Sequence, residues 1–461
     1  MPAFTVREIL VATKAKAAKA TPAITAFTDV VTDTRKIQPG VLFLALKGER
    51  FNGEDFAAEA VAKGASGVIV SETCPESKYA AIENADVFTV KDTLAAYQGI
   101  GHLWREKFDI PVIAITGSNG KTTTKDLTAA VLSSKGRVLK TQANFNNEIG
   151  LPLTLLGLRK AHWAAVVEIG MRGFHQIEAM APLADPEIGI VTNVGETHME
   201  LLGSLENIAK AKCELVQAIK PGGTVILNAD NPYVAGMRGA AKPGVRVLTF
   251  GIEQEADVRG GHLHTTEDGA HTVFSVMYGG NTQNYTIAMV GRHNVCNALA
   301  AIAAGFALGL TPDEIRLGLS HLETTKMRFE VEKVKDWHVI NDAYNASPMS
   351  MKAAIDTMAE LVKGRKIAVM GDMLELGKVS KDAHYKVGQE LAEAHFDAVL
   401  TRGEMAKQIA CGARDGGVPI VCVCESHEDA GERLYEILQP GDTILFKGSR
   451  GMQMEKIIDL L

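Results

Sequence analysis

The chain has 461 residues, 46% of them apolar and 22% charged, and carries a formal net charge of −7. That length is enough for about three domains with sizeable cores, and the acidic balance excludes the basic surface that non-specific nucleic-acid binding requires. The cysteines (Cys74, Cys213, Cys296, Cys411, Cys422, Cys424) are scattered. Cys422-Val423-Cys424 has the wrong spacing for a zinc knuckle, so reduced, buried thiols are expected. The N-terminus lacks the continuous apolar core of a signal peptide. The longest apolar stretch, 298–310, contains glycines and is too short to span a bilayer. These features predict a cytoplasmic enzyme with no membrane span, and the lack of coiled-coil heptads or a broad apolar stripe predicts a monomer.

Strand-like runs alternate with helical ones almost throughout, the pattern of α/β layers with mostly parallel sheets. The first segment, 1–92, mixes short strands at 41–45 and 67–70 with helices. The second, 93–325, contains strands at 164–169, 188–192 and 224–227. Its stretch 256–285 alternates like antiparallel strands, and a helix is expected at 295–308. The third, 326–461, has strands at 367–370, 398–400 and 443–446 with helices between them, in the manner of a dinucleotide fold without its glycine fingerprint.

Near the start of the second segment, the apolar run Val112-Ile113-Ala114-Ile115 leads into Gly117-Ser118-Asn119-Gly120-Lys121-Thr122 and then a helical pattern at 123–132. Strand, glycine turn and helix form the setting of a phosphate-binding loop. Glycines let the backbone aim N–H groups at an anion, and the helix N-terminus adds partial positive charge. Lys121 is then placed for the terminal phosphates of a nucleotide and Thr122 for Mg²⁺. The usual glycine six residues before the lysine is replaced by Ile115, so the alternative is a glycine turn carrying a solvated lysine.

Further candidates follow. Glu168 ends an apolar strand, where a carboxylate faces the ligand crevice of such sheets and could complete a Mg²⁺ shell; a surface ion pair is the other reading. His198 follows the next strand on a loop, as either a ligand or a solvated histidine. Lys212 lies four residues after Ile208 and three before Leu215, on the buried face of a helix at 205–219, whereas Lys210 points elsewhere. Burial favours the reactive neutral amine. Such an amine can take up CO₂ as a carbamate able to bind metal, or the lysine can reach out to a nearby carboxylate. Asn294 reads as the N-cap of the helix at 295, and Asn297 as an amide placed to read an adenine edge. Arg328 stands just past the second boundary and suits a γ-phosphate contact at a domain joint.

In this order, and over essentially the whole chain, these pieces resemble the Mur ligases of peptidoglycan synthesis. The resemblance is carried by Thr32-Asp33-Thr34-Arg35, Leu44-Ala45-Leu46-Lys47-Gly48, the run from Ile115 to Lys125, and Asn144-Phe145-Asn146-Asn147-Glu148-Ile149-Gly150-Leu151-Pro152. Asp342-Ala343-Tyr344-Asn345-Ala346, the run from Gly371 to Gly377, and Lys447-Gly448-Ser449-Arg450 extend it. The shortened phosphate loop is the normal form in that family. The segments are most similar to the branch that joins D-alanyl-D-alanine to UDP-N-acetylmuramoyl-tripeptide through an acyl phosphate.

The resemblance implies three domains: a small α/β UDP-binding domain (1–92), a central P-loop ATPase-like parallel-sheet domain (93–325) and a C-terminal Rossmann-like domain (326–461). It implies ATP and one or two Mg²⁺ ions, with Gly117, Ser118, Asn119, Gly120, Lys121, Thr122, Thr123, Asn297, Arg328, Asp342, Tyr344 and Asn345 on the nucleotide. Thr122, Glu168, His198 and a carbamylated Lys212 are the implied metal ligands, and Lys121, Glu168, His198 and Lys212 the catalytic set. Thr34, Arg35 and Lys47 are expected near the uridine diphosphate, and Asn144, Asn146 and Asn147 on substrate.

Ser347 stands where asparagine is the more usual residue, which places only that contact in question. The ligase that adds the third amino acid carries Asp-Asn-Pro-Arg in its last domain. Here the nearest string is Asp230-Asn231-Pro232-Tyr233, in the central segment and without arginine. That weighs against diaminopimelate or lysine addition, as the Asn144–Pro152 segment does against a folylpolyglutamate synthase. No Asn-Lys-x-Asp string is present to support a GTPase switch.

Overall fold

The computed structural model describes residues 4–21, 23–48, 51–267, 269–323 and 325–461; the first three positions of the segment 1–92 lie outside them. The chain packs as two compact units. The first comprises residues 1–114, 136–169 and 178–186, and the second residues 115–135, 170–177 and 187–461.

The first unit is built on a five-stranded sheet in the order Lys16–Lys19, Asp86–Val90, Gly67–Ser71, Leu42–Leu44, Val30–Val31. Only the pairing of Lys16–Lys19 with Asp86–Val90 is antiparallel. The inner strands read as continuous apolar runs because parallel strands are covered on both faces, and Phe43, Val68, Val70 and Val87 are fully or almost fully buried. Helix Thr93–Glu106 starts where the Asp92 carboxylate accepts from the Leu94 and Ala95 N–H groups, at 2.8 and 3.1 Å. Arg105 on that helix is buried, and its guanidinium donates to the carbonyls of Ala184 and Phe108 at 2.9 and 2.7 Å, a purely structural use. Strands Arg137–Lys140 and His162–Glu168 pair in parallel in the same unit.

In the second unit, strands Ile188–Val191, Thr224–Asn228, Arg246–Gly251 and Val258–Thr265 pair successively in parallel. Thr272–Tyr278 and Asn281–Ile287 continue antiparallel, as the alternation in 256–285 predicts. A separate six-stranded sheet has the order Glu330–Val334, Trp337–Asp342, Thr443–Lys447, Lys366–Gly371, Ala398–Arg402, Ile420–Cys424. It is parallel except at Glu330–Val334. Helices Pro348–Leu361 and Ser380–Glu393 bury Met351, Ile355, Met358, Val387 and Leu391 in the core on one of its faces. Each such side chain contributes roughly 1.5–3 kcal/mol by leaving water. No helix among the described residues is long and apolar enough to cross a membrane.

One expected element is corrected. The helix placed at 295–308 runs Arg292–Ala307, and Gly291 (φ 91°) is its N-cap. Asn294 is therefore inside the helix, donating from Nδ2 to the Val290 carbonyl at 2.8 Å. A positive φ is open to glycine, so the backbone ends the preceding loop three residues before the asparagine.

Helices Ser380–Glu393 and Ala406–Asp415 touch backbone to backbone. A Cβ on Gly388 would collide with the Ile409 carbonyl, and one on Gly412 with the Tyr385 carbonyl. Gly412→Ala is expected to destabilise the second unit by about 1–3 kcal/mol, the usual cost of overpacking. Denaturant unfolding followed by far-UV circular dichroism measures this, and an unchanged midpoint contradicts the close approach.

Candidate active site

Strand Val112–Thr116 delivers the chain to Gly117, and helix Lys121–Ser133 carries it away from Gly120. Both glycines have positive φ, 151° and 77°. A Cβ on Gly117 would collide with Thr192 Oγ1, and one on Gly120 with Asn297 Oδ1. The helix starts with no side-chain cap, and a helix N-terminus carries the partial positive charge that favours an anion. The loop is held from behind by the end of the neighbouring strand. Thr192 Oγ1 and Asn193 Nδ2 donate to the Asn119 carbonyl at 2.6 and 3.0 Å, and the N–H groups of Ser118 and Asn119 donate to Asn193 at 2.9 and 2.8 Å. Ser118 Oγ donates to the Gly195 carbonyl at 3.0 Å. Lys121 folds back over the loop, donating from Nζ to the Gly117 carbonyl at 2.8 Å.

Lys212 faces inward as its spacing predicts, at 2% exposure, while Lys210 on the same helix, Leu205–Ala218, is exposed. No carboxylate waits for it, and among the described residues no hydrogen bond or ion pair engages its Nζ. Burial, reinforced by the Lys121 ammonium, pushes its amine well below the ordinary lysine range. His198 is the third member of this group. It has a left-handed backbone (φ 55°) before the short helix Met199–Leu202, and its Nδ1 lies 2.7 Å from Glu375 Oε2. Burial lowers its pKa against the opposing pull of Glu375, and the Lys212 and Lys121 charges add to the lowering. The lone-histidine reading is thereby replaced by a paired, half-buried ring.

On the other side of the loop, Arg328 Nη2 donates to Thr122 Oγ1 at 2.9 Å, and its guanidinium lies 4.2 Å above the Tyr344 ring centre. Thr122 and Thr123 are buried in the first helical turn, and Thr123 and Arg328 line a small cavity with Asp126, Met289, Leu322 and Thr325. Lys447, at 2% exposure, pairs with the Asp342 carboxylate and donates to the Asn345 carbonyl at 3.0 Å, which pins the 342–345 loop. Asn297 accepts from Thr124 Oγ1 at 3.3 Å, so its amide backs onto the phosphate loop. Ser347 caps helix Pro348–Leu361 and also donates to Asn119 Oδ1 at 2.8 Å. The Asp230-Asn231 string is structural: Asp230 accepts from the N–H groups of Ile252, Glu253 and Gln254, and Asn231 caps helix Pro232–Ala235.

The first unit holds the remaining candidates. Glu168, at 2% exposure, ends strand His162–Glu168 and accepts from Asn146 Nδ2 at 2.8 Å. Asn147 Oδ1 accepts from the Gly150 N–H at 2.8 Å at the start of helix Gly150–Leu155, and Asn144 is exposed. Thr34 and Arg35 lie in a short turn capped by Asp33. Arg35 grips that carboxylate with two N–H groups and holds its pKa down at about 2. Lys47 is exposed and bridges to Asn52.

Glu375, Ser347 and Lys447 are the contacts that residue-by-residue reading leaves without a role. For Glu375 and Lys447 the only signal in the sequence is membership of the segments that carry the family resemblance, and Ser347 lies one residue past such a segment. No three His, Cys, Asp or Glu side chains among the described residues converge into a metal cage. A hard cation such as Mg²⁺ does not require one, since it takes few protein oxygens and keeps waters and substrate phosphates.

Three family models match the chain: "Mur ligase family, catalytic domain" over 27–98, "Mur ligase middle domain" over 115–305 and "Mur ligase, glutamate ligase domain" over 327–450. The chain belongs to the Mur ligase family. A relative from Bacillus subtilis (strain 168), named UDP-N-acetylmuramoyl-tripeptide–D-alanyl-D-alanine ligase, is 40% identical, over 93% of this chain and 92% of its own. A crystal structure of MurF from Acinetobacter baumannii aligns with a TM-score of 0.92 at 32% identity, covering 100% of this chain and 99% of that one. The MurF ligase of Thermotoga maritima, solved with ADP, aligns at 0.83 with 27% identity, covering 94% and 96%. The Mur ligase fold is three-domain α/β, and the sheets described above fit it.

In this Mur ligase His293 lies in the first turn of helix Arg292–Ala307, near Asp342 and Lys447, and burial pushes its pKa down to about 4 from 6.5. Between those values the unfolded chain holds a proton that the folded one lacks, so stability falls as pH drops from about 6.5 to about 4. His293→Gln is expected to flatten that part of the stability–pH curve, measured by urea unfolding at successive pH values. A wild-type slope in the variant contradicts the buried neutral histidine.

Proposed function

We infer that this Mur ligase joins D-alanyl-D-alanine to UDP-N-acetylmuramoyl-tripeptide at the expense of ATP, giving the UDP-linked pentapeptide, ADP and phosphate. The observation that carries this is similarity along almost the whole chain to ligases of that name, 40% identical over 93% of the chain. The phosphate loop's geometry supports it, and the neighbouring Mur ligase solved with ADP supports the nucleotide.

In the first step an oxygen of the tripeptide's terminal carboxylate attacks the γ-phosphorus, the bond to the ADP oxygen breaks, and an acyl phosphate forms. The N–H groups of Gly117 to Thr122 and the Lys121 ammonium hold the phosphates in line, since phosphoryl transfer depends on positioning and charge stabilisation. Arg328 exchanges Thr122 Oγ1 for the γ-phosphate when nucleotide binds, and its stack on Tyr344 preserves its plane. Asp342, Asn345, Asn297 and Thr123 complete the nucleotide contacts. In the second step the dipeptide's amine attacks the acyl carbon, the bond to the phosphate oxygen breaks, and the amine gives up a proton. Exclusion of water protects the acyl phosphate between the steps.

Thr122, Glu168, His198 and a carbamylated Lys212 are the proposed Mg²⁺ ligands. The fit rests on chemistry seen in the chain: His198 is bonded at Nδ1, and among the described residues Nε2 has no partner and Lys212 is a buried amine without an anion. One or two ions, when bound, neutralise charge developing on the transferred phosphoryl group. Thr34, Arg35 and Lys47 take the uridine diphosphate and Asn144, Asn146 and Asn147 the peptide side of the substrate. We divide the chain at 92/93 and 325/326 into UDP-binding, ATP-binding and ligase domains, and propose a cytoplasmic monomer.

Phosphate release from ATP with UDP-N-acetylmuramoyl-tripeptide is expected only when D-alanyl-D-alanine is added, with the pentapeptide seen by mass. Turnover driven instead by one amino acid and a UDP-muramoyl-dipeptide overturns the substrate assignment. Lys121→Met is expected to lower kcat about 100- to 1,000-fold, the size of losing one transition-state donor. Near-normal turnover in that variant removes Lys121 from the mechanism.

A further inference from the structure

The His198–Glu375 contact joins residues 177 positions apart. A carboxylate oxygen only accepts, so His198 Nδ1 carries the hydrogen and Nε2 presents its lone pair. The other Glu375 oxygen lies 3.8 Å from Arg172 Nη2, so the carboxylate is held from two sides. Its backbone is equally constrained. Glu375 has φ 63°, its carbonyl accepts from the Glu200 N–H at 3.4 Å, and Gly377 (φ 57°) packs against Glu200 closely enough that a Cβ would lie 3.0 Å from its Cα. Upstream, the Met373 N–H donates to His384 Nε2 at 2.8 Å and the Leu374 N–H to Ser449 Oγ at 2.9 Å. His384 is fully buried, and Met373 and Leu376 are 2% exposed, anchoring the loop on both sides of Glu375. Such a tied carboxylate is far more than a surface ion pair needs.

We propose that Glu375 is a positioning residue for metal binding: it fixes the tautomer and ring plane of His198 so that Nε2 faces the ligand site. Ligating histidines commonly rest on such a carboxylate, and its loss weakens metal binding about 10- to 100-fold. The residue comes from the third segment of the chain and its target from the second. Seating the Gly371–Gly377 loop therefore completes a metal ligand, which links docking of that loop to readiness for phosphoryl transfer. The inference rests on the role proposed for His198.

The test is Mn²⁺ affinity, read by electron paramagnetic resonance on the full chain with ADP, in wild type, H198A, E375A and E375Q. Nitrogen-15 NMR of the His198 ring in the metal-free protein accompanies it. E375A is expected to bind Mn²⁺ about 10- to 100-fold more weakly and to lose the single Nδ1–H tautomer. E375Q, whose amide oxygen accepts the same hydrogen, is expected to recover most of both and to report on folding through an unchanged melting temperature. If H198A weakens Mn²⁺ binding while E375A matches wild type in affinity and tautomer, the positioning role is overturned and the ligase reading stands. If H198A itself binds Mn²⁺ normally, the inference falls together with the metal role of His198.

Discussion

An amine buried without a counter-charge is the constraint on which the site depends. Lys212 is 2% exposed, and the charge that bears on it among the described residues is another cation, Lys121. Removing an ammonium from water costs several kcal/mol even after relaxation, so the folded chain holds this group as a neutral amine or supplies it with an anion. Either outcome serves a phosphoryl-transfer ligase. A neutral amine is the form that adds CO₂, and the resulting carbamate carries the negative oxygens that a hard cation takes. Burial, aided by the Lys121 ammonium, helps to keep His198 neutral, the state in which a ring nitrogen ligates metal.

Around that group the fold works by backbone precision. Only glycine fits at 117 and 120, because Thr192 and Asn297 leave no room for a Cβ. Thr192 and Asn193 turn the loop by taking its polar groups from behind. The six-stranded sheet contributes through its strand ends: Asp342 and Lys447 pair from the ends of two strands, Glu375 lies in the loop after a third, and Ser347 starts helix Pro348–Leu361. Glu375 meets His198 and Ser347 meets Asn119, both in the segment that carries the phosphate loop. Chemistry is thus assembled at the C-terminal ends of strands, where parallel sheets present their ligand crevice.

Much of this is legible in the sequence, for reasons of periodicity. Ile208, Lys212 and Leu215 share one helical face, so the inward lysine is readable from spacing alone. The glycine loop is readable because a strand precedes it and a helix follows. The antiparallel run at 256–285 shows in its alternation. What is not legible depends on distance or on one dihedral angle. His198 looks like a solvated loop histidine because its partner is 177 residues away. Asn294 resembles a cap by residue type, but the chain turns at Gly291, whose φ of 91° suits glycine, and the helix starts there instead. Ser347 differs from the more usual asparagine, yet its hydroxyl both caps a helix and reaches Asn119, two contacts that residue type alone does not reveal.

The most direct test of the account is carbon-13 NMR of the protein equilibrated with ¹³C-bicarbonate, with Lys212→Met as the control. The account predicts one carbamate resonance per chain, absent from the variant and lost together with ligase turnover when bicarbonate is removed. Full turnover in bicarbonate-free buffer with no carbamate signal would contradict it, and the buried amine would then need another explanation.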